Sequence, residues 1–219
     1  MNNGKRVVIT GLGVISPVGN DIATFWDSLK SGRCGIGPLT GMDLHGLPIH
    51  VAGNIKDFDP SAFGLSGADK RRNDLYSQYA LAAASQVMKS SGLVSGENIE
   101  PERFGVYAGT GIGGMNTFVS QTKVLLEEGA DRISPLFIPM MIPNIAGGNI
   151  AIKYNAQGPC LTHVSACATS TNSIGEAYLA VSYGRADAIL TGGSEAVLNP
   201  LAIGGFANCK ALTTEEDPW

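Results

Sequence analysis

The sequence predicts an α/β fold built on a mainly parallel sheet that is covered on both faces. Three observations carry this. Strand-like and helix-like segments alternate along the chain. The strand-like segments, among them Phe104-Gly-Val-Tyr-Ala108 and Asp187-Ala-Ile-Leu-Thr191, are near-continuous apolar runs, as strands buried on both sides require. Several run directly into glycine: Gly11, Gly109 and Gly192-Gly193.

Taken in order, Lys5-Arg-Val-Val-Ile-Thr-Gly11 is a first strand ending in a glycine turn. Asn20-Asp21 caps a helix with Ile22, Phe25, Trp26 and Leu29 on one face, and Gly32 closes it. Residues 33–68 are rich in Gly and Pro and read as irregular, with one short strand at His50-Val-Ala52. A long helix spans residues 74–91, where Tyr79-Ala-Leu-Ala-Ala-Ala84 favours helix and Gly92 stops it. The strand at 104–108 leads through a glycine turn into a helix near 116–128, and a second helix lies around 144–154. The apolar run 161–166 is a strand that ends on Cys167, and the small residues after it open a helix that ends at Gly184-Arg185. A strand at 187–191 and a helix near 201–210 complete the chain, with no internal repeat and no linker.

The 219 residues are enough for one large domain or two small ones. Hydrophobic residues make up 44% and charged ones 16%, a balance that points to much buried surface, including a subunit interface. A net charge of −4 gives the whole chain no electrostatic case for binding nucleic acid. The four cysteines (Cys34, Cys160, Cys167, Cys209) form no CxxC pair, and with only His45, His50 and His163 beside them a metal site is not expected. From 133 to 175 the only formal charge is Lys153, but Pro135, Pro139, Pro143 and Pro159 break the run, so a ligand-lining core segment is expected rather than a membrane span. The first residues lead into a strand rather than the apolar core of an export signal, so reduced thiols in a cytoplasm are expected.

Cys167 is the candidate with most chemistry behind it. A thiol at a strand-to-helix turn faces unsatisfied backbone N–H groups and the positive end of the helix dipole, which favour a thiolate suited to acyl transfer. The bland alternative is a buried, inert cysteine, the reading given to Cys160 and Cys209. His163 is four residues away, about 13 Å along a strand, too far to serve as base; packing or an interface is its expected role. Gly109-Thr-Gly-Ile-Gly-Gly114 matches GxGxxG after a strand and before a helix, so a nucleotide site is one reading of it. No acid ends a following strand: Glu127, Glu128 and Asp131 lie at a helix end. The alternative is a set of tight turns where backbones approach closely. Lys70-Arg-Arg72 is a small basic cluster, either solvated surface or a dock for an acidic partner.

Together these segments resemble the β-ketoacyl-acyl-carrier-protein synthases of the type II elongation class. Val7-Val-Ile-Thr-Gly-Leu-Gly-Val-Ile-Ser-Pro-Val-Gly19 is similar to that family's opening. Gly109-Thr-Gly-Ile-Gly-Gly114, Val164-Ser-Ala-Cys-Ala-Thr-Ser170, Ala186-Asp-Ala-Ile-Leu-Thr-Gly-Gly193, and Gly204-Gly-Phe206 through Ala211-Leu-Thr213 follow in the family's order across the whole chain. The resemblance implies the thiolase-like fold, two βαβαβαββ halves in five α-β-α-β-α layers, working as a homodimer without a cofactor. It implies Cys167 as the acyl-accepting nucleophile, with its own N–H as half of the oxyanion hole. Ile112 and Phe206 would line the acyl pocket and its gate, and Phe137 and Ile138 would reach the other subunit's pocket. Arg71, Arg72, Arg132 and Lys210 match the surface that docks acyl carrier protein.

Family members are about twice this length, as two halves require, and their two catalytic histidines and supporting lysine lie in the second half. No histidine follows His163, so residues 1–219 read as the N-terminal half, with the C-terminal half absent. The rival readings are a non-catalytic partner like the chain-length factors of polyketide systems, which the intact Cys167 argues against, and a nucleotide-binding protein resting on residues 109–114.

Overall fold

The structure, a computed structural model, describes residues 4–217. In chain order its elements are α1 (Ile22–Lys30), the two-residue strands β1 (Gly37–Pro38) and β2 (Val51–Ala52), α2 (Gly67–Arg72), α3 (Leu75–Ser91), β3 (Phe104–Gly109), α4 (Met115–Glu127), α5 (Phe137–Met141), α6 (Ile145–Lys153), β4 (Cys160–Leu161), α7 (Thr169–Ser182), β5 (Ala188–Gly193) and α8 (Pro200–Asn208). They fall into two compact units. One joins the residues up to Gly13 with Pro60–Ala196; the other joins Val14–Asp59 with the residues from Val197 on.

The first unit is a parallel sheet in the order β4-β3-β5 between helices. The period of two along each strand decides what faces what. Phe104, Val106 and Ala108 of β3 and Leu190 of β5 pack with Leu81 and Ala84 of α3 and Ile150 of α6. On the other face Tyr107, with Ile189 against it, packs with Ala177 and Ala180 of α7. Every residue of β3 is buried, which is why its sequence shows no alternation. At the opposite end from the strands' exits, Arg103 donates from Nε and Nη2 to Asp187 at 3.0 Å each, and Nη2 also reaches the Gly184 carbonyl at 2.8 Å. One guanidinium thus joins the starts of β3 and β5 to the end of α7, and its hydrogen bonds hold the Asp187 carboxyl down to about 2.

The start of α3 is a second junction. The Tyr76 hydroxyl donates to the Ile142 carbonyl at 2.7 Å, and the Tyr76 carbonyl accepts from Ser194 Oγ at 2.6 Å. Burial pushes this phenol up to about 12, so it remains a neutral donor. Asp74, only 3% exposed, serves two helices at once. Its carboxylate accepts from the Tyr76 N–H of α3 at 3.4 Å, and from the N–H and hydroxyl of Thr117 in the first turn of α4 at 2.7 and 2.6 Å. Asp74→Ala strips the acceptor from these donors. With about 1–3 kcal/mol for each buried group left unsatisfied, the expected loss is about 3 kcal/mol. Thermal unfolding should show this as a Tm lower by roughly 6–12 °C; an unchanged Tm would mean that water satisfies these donors.

In the second unit Asp21 caps α1 through Thr24 N at 2.9 Å, and Gly32, at φ 67°, ends it as expected. Of its expected apolar face Phe25 is half-buried, while Ile22, Trp26 and Leu29 are exposed. β1 and β2 pair antiparallel with Gly37 opposite Ala52. Asn199 caps α8 through Ala202 N at 2.9 Å, with Pro200 at the first helical position.

The structure corrects three expectations. Residues 5–11 form no strand: they run over helices, with Gly11 against the Val87 carbonyl of α3, and their backbone meets α7 through Lys5 N to Ser182 O at 2.9 Å. Val8 and Ile9 stay 61% and 81% exposed. An apolar run becomes a strand only beside another strand's backbone, and here it lies beside helices. The strand expected over 161–166 is β4, which ends at Leu161. Beyond it the Thr162 hydroxyl takes the Ala108 carbonyl and the Thr169 hydroxyl takes the Ser165 N–H, in competition with the ladder. Within 33–68, α2 begins at Gly67 on a Ser66–Asp69 capping box.

Candidate active site

β3 and β5 run in register from Phe104↔Ala188 to Gly109↔Gly193, so both leave the sheet at one edge. In parallel sheets sites form beyond such carboxyl ends. Three segments meet there: the 110–114 turn after β3, the turn around Cys167 that opens α7, and residues 194–196 after β5.

Cys167 sits at the centre of a 3-10 turn (Ala166–Ala168) that passes directly into α7, and it is exposed. The turn is tied from within. Ser165 N donates to Thr169 Oγ1 at 2.8 Å, Ala168 N to Ser165 O at 3.1 Å, and Asn172 Nδ2 to Ser165 Oγ at 2.6 Å. Ala166 stands at φ 50°, a left-handed conformation that costs a residue with a Cβ about 1–2 kcal/mol. Strain of this kind next to a thiol makes the turn a candidate functional site. No N-cap side chain covers the start of α7, so its positive end remains available to negative charge formed at the turn.

The glycines of 109–114 are explained by crowding. A Cβ on Gly109 would collide with the Thr169 methyl of α7 and come within 2.6 Å of the His163 carbonyl. Gly113, at φ 85°, lies against the Met141 carbonyl. These contacts bring β3 against the first turn of α7 and the segment before α6 against the 110–114 turn.

The turn's donors already have an anion. Glu195 Oε1 accepts from the Thr110 hydroxyl at 2.9 Å, and Oε2 accepts from Gly111 N at 2.8 Å and Ile112 N at 3.2 Å. The N–H groups that a dinucleotide phosphate would need are held by a side chain of the same chain, which removes the nucleotide reading. Glu195 lies 84 residues after Gly111, far from the place about 20 residues on where a dinucleotide motif has its acid. The signal was present elsewhere: between Asp187 and Lys210 it is the only charged residue.

The other named residues fall as follows. Ile112 lies on the turn that Glu195 holds and is 39% exposed. Phe137 opens α5 with its ring 6.4 Å from that of Phe118 of α4, and Ile138 beside it is exposed. The His163 ring packs against Tyr107 at 5.7 Å, in keeping with a packing role. Arg71 and Arg72 end α2, Arg132 ends a 3-10 turn (Ala130–Arg132), and all three are exposed. In the second unit Phe206 lies on α8, 40% exposed, and Lys210 follows that helix at φ 60°.

The profile of the family described as "Beta-ketoacyl synthase, N-terminal domain" matches residues 4–218. The chain belongs to the β-ketoacyl synthase family. It is 44% identical over 217 residues to 3-oxoacyl-[acyl-carrier-protein] synthase 2 of Staphylococcus aureus (strain COL), covering 99% of this chain and 52% of that one. Among solved structures it is similar to the ishigamide ketosynthase/chain length factor, with a TM-score of 0.88 at 26% identity over 97% of this chain and 52% of the other. It is also similar, with a TM-score of 0.79 at 26% identity over 93% of this chain and 55% of the other, to a type II polyketide ketosynthase solved with its acyl-carrier protein and bound to a hexaketide. The chain therefore spans about half the length of the relatives it matches and has the thiolase-like ketosynthase fold over that span. Among the described residues no helix is long and apolar enough to cross a membrane.

Proposed function

We propose that this chain is the nucleophile-bearing half of a 3-oxoacyl-[acyl-carrier-protein] synthase that elongates fatty acyl chains. The observation that carries the reading is Cys167, exposed on a strained turn at the carboxyl edge of a parallel sheet, within a chain that matches the family from end to end. The Cys167 thiolate attacks the acyl thioester of an acyl carrier protein. The carrier thiolate leaves, and the acyl group stays on Sγ. Malonyl carrier protein then loses carbon dioxide. The resulting carbanion attacks the Cys167 thioester, a carbon–carbon bond forms, and the cysteine thiolate is released with a chain two carbons longer on the carrier. The backbone N–H of Cys167 serves as one oxyanion donor. Ile112, Phe137, Ile138 and Phe206 shape acyl pockets. No cofactor enters this chemistry.

The partners follow from the same reading: acyl carrier protein, a C-terminal half bearing the two histidines and the lysine, and a second copy in a homodimer, all in the cytoplasm. Exposed apolar side chains on α7, Ile174 at 51% and Tyr178 at 54%, support a large partner surface. Cys167 favours this role over that of a chain-length factor. Release of free carrier thiol from acyl carrier protein by the complete enzyme tests the reading, and carrier that stays fully acylated contradicts it.

Arg71, Arg72, Arg132 and Lys210 are the proposed dock for the acidic carrier. Exposed charges act mainly on encounter and are screened over about 8 Å at physiological salt. Reversing Arg71 and Arg72 to glutamate should raise KM for the carrier at low salt, and the difference should shrink as salt rises. An unchanged KM at low salt would move the dock elsewhere.

A further inference from the structure

Glu195 is held in place from both sides. Ser194 N donates to the Gly109 carbonyl at 3.1 Å and Ser194 Oγ to the Tyr76 carbonyl at 2.6 Å. Ala196 is buried with Tyr76 and Ala146, and its carbonyl accepts from Asn116 Nδ2 at 2.8 Å. The residue between these anchors is itself exposed, yet its carboxylate bridges to three donors on a neighbouring turn: the Thr110 hydroxyl and the N–H groups of Gly111 and Ile112. Thr110 Oγ1 in turn accepts from Gly113 N at 3.1 Å, so the carboxylate organises the whole bend. That bend lies against the turn that carries Cys167. A Cβ on Gly111 would stand 2.9 Å from Glu195 Oε2 and 3.6 Å from the carbonyl of Ala166, the residue before Cys167.

A turn with glycine at 111, 113 and 114 has little stiffness of its own. Without an acceptor, two adjacent N–H groups would turn toward water and carry Ile112 with them. We propose that Glu195 is a positioning residue: its carboxylate fixes the 110–112 turn, whose Gly111 lies against the Ala166 carbonyl of the Cys167 turn, and with it Ile112, and thereby sets which alkyl chains reach the thiol. Its bearing on acyl selection rests on the proposed function; the clamp itself does not. The balance of donors also says which variant should preserve it. A glutamine can turn its carbonyl oxygen to the two backbone N–H groups and its NH2 to Thr110 Oγ1, which accepts as well as donates. An alanine offers nothing.

The test uses the complete enzyme in three forms: unchanged, Glu195→Gln and Glu195→Ala. Amide exchange at Gly111 and Ile112 reads the clamp. Alkylation of Cys167 by N-alkylmaleimides of increasing chain length reads its consequence, with Cys34, Cys160 and Cys209 in the same digest as internal references. In the Glu195→Ala chain both amides should lose protection, and the dependence of Cys167 labelling on alkyl length should change by on the order of 10-fold or more, since a displacement of about 1 Å at a reacting site costs about 10²-fold. Glu195→Gln should restore both readouts, with the reference cysteines unaffected throughout. Unchanged amide protection in Glu195→Ala would overturn the proposal. So would an alkyl-length profile of Cys167 identical in all three chains, or a Glu195→Gln profile as altered as that of alanine. These readouts need no carrier protein, so acyl transfer that fails in the complete enzyme while the clamp is confirmed would refute the proposed function and leave the role of Glu195 standing.

Discussion

Purified alone, the 219-residue chain is expected to form no β-ketoacyl product from acyl and malonyl carrier proteins, and to do so once a C-terminal ketosynthase half is supplied. Decarboxylation places negative charge on a carbon and an enolate oxygen. Each acid–base or electrostatic group that meets such charge contributes roughly 10²–10⁴-fold. Of the chain's three histidines, His45 and His50 belong to the second unit, and His163 packs on Tyr107. The family resemblance assigns the two histidines and the lysine to the other half. The exposed apolar residues Val8, Ile9, Ile174 and Tyr178 give the same expectation for behaviour in solution: association and poor solubility until that surface is covered. Analysis of the products by mass spectrometry, with the chain's own mass verified, checks both points. Sustained condensation by the soluble chain alone would contradict the half-enzyme reading.

Cys167→Ala should abolish acyl transfer in the complete enzyme, since loss of a nucleophile costs on the order of 10⁶-fold. Cys160→Ala and Cys209→Ala should leave transfer intact. Cys160, in the two-residue strand β4, and Cys209, which follows α8 with its thiol on the Phe206 carbonyl at 3.3 Å, are both exposed rather than the packing residues expected. Neither stands on a strained turn at a helix start. The readout is loss of free carrier thiol and of the acyl-enzyme together. An acyl-enzyme that survives in Cys167→Ala would give the nucleophile's role to another residue.

The parts of the fold legible in the sequence are those set by local chemistry. Asp21 and Gly32 bracket α1, Asp74 and Gly92 bracket α3, and the apolar runs at 104 and 188 are β3, buried throughout, and β5, buried at Leu190 and half-buried along most of the rest. What depended on a distant neighbour was misread. The run 5–11 has strand composition, but no strand pairs with it here. The strand before Cys167 is short because hydroxyl side chains compete with the ladder, which composition alone does not reveal. α2 was missed although its Ser66–Asp69 capping box is written in the sequence. At the site, Cys167 stood out through its position before a small-residue helix start, whereas Glu195, 28 positions further on, meets the 110–112 turn only through the register of β3 with β5. Local pattern finds a candidate nucleophile; it does not find a carboxylate that reaches the neighbouring turn from a distant strand end.

The most direct measurement is peptide-mapped mass spectrometry of the complete enzyme after incubation with an acyl carrier protein loaded with a saturated acyl chain, with malonyl carrier protein withheld. The expected result is a single acyl thioester on the peptide that contains Cys167, cleaved by hydroxylamine and discharged as β-ketoacyl product when malonyl carrier protein is added. An acyl group on Cys34, Cys160 or Cys209 in its place, or no acyl-enzyme while product still forms, would contradict the assignment of this turn as the acyl-transfer site.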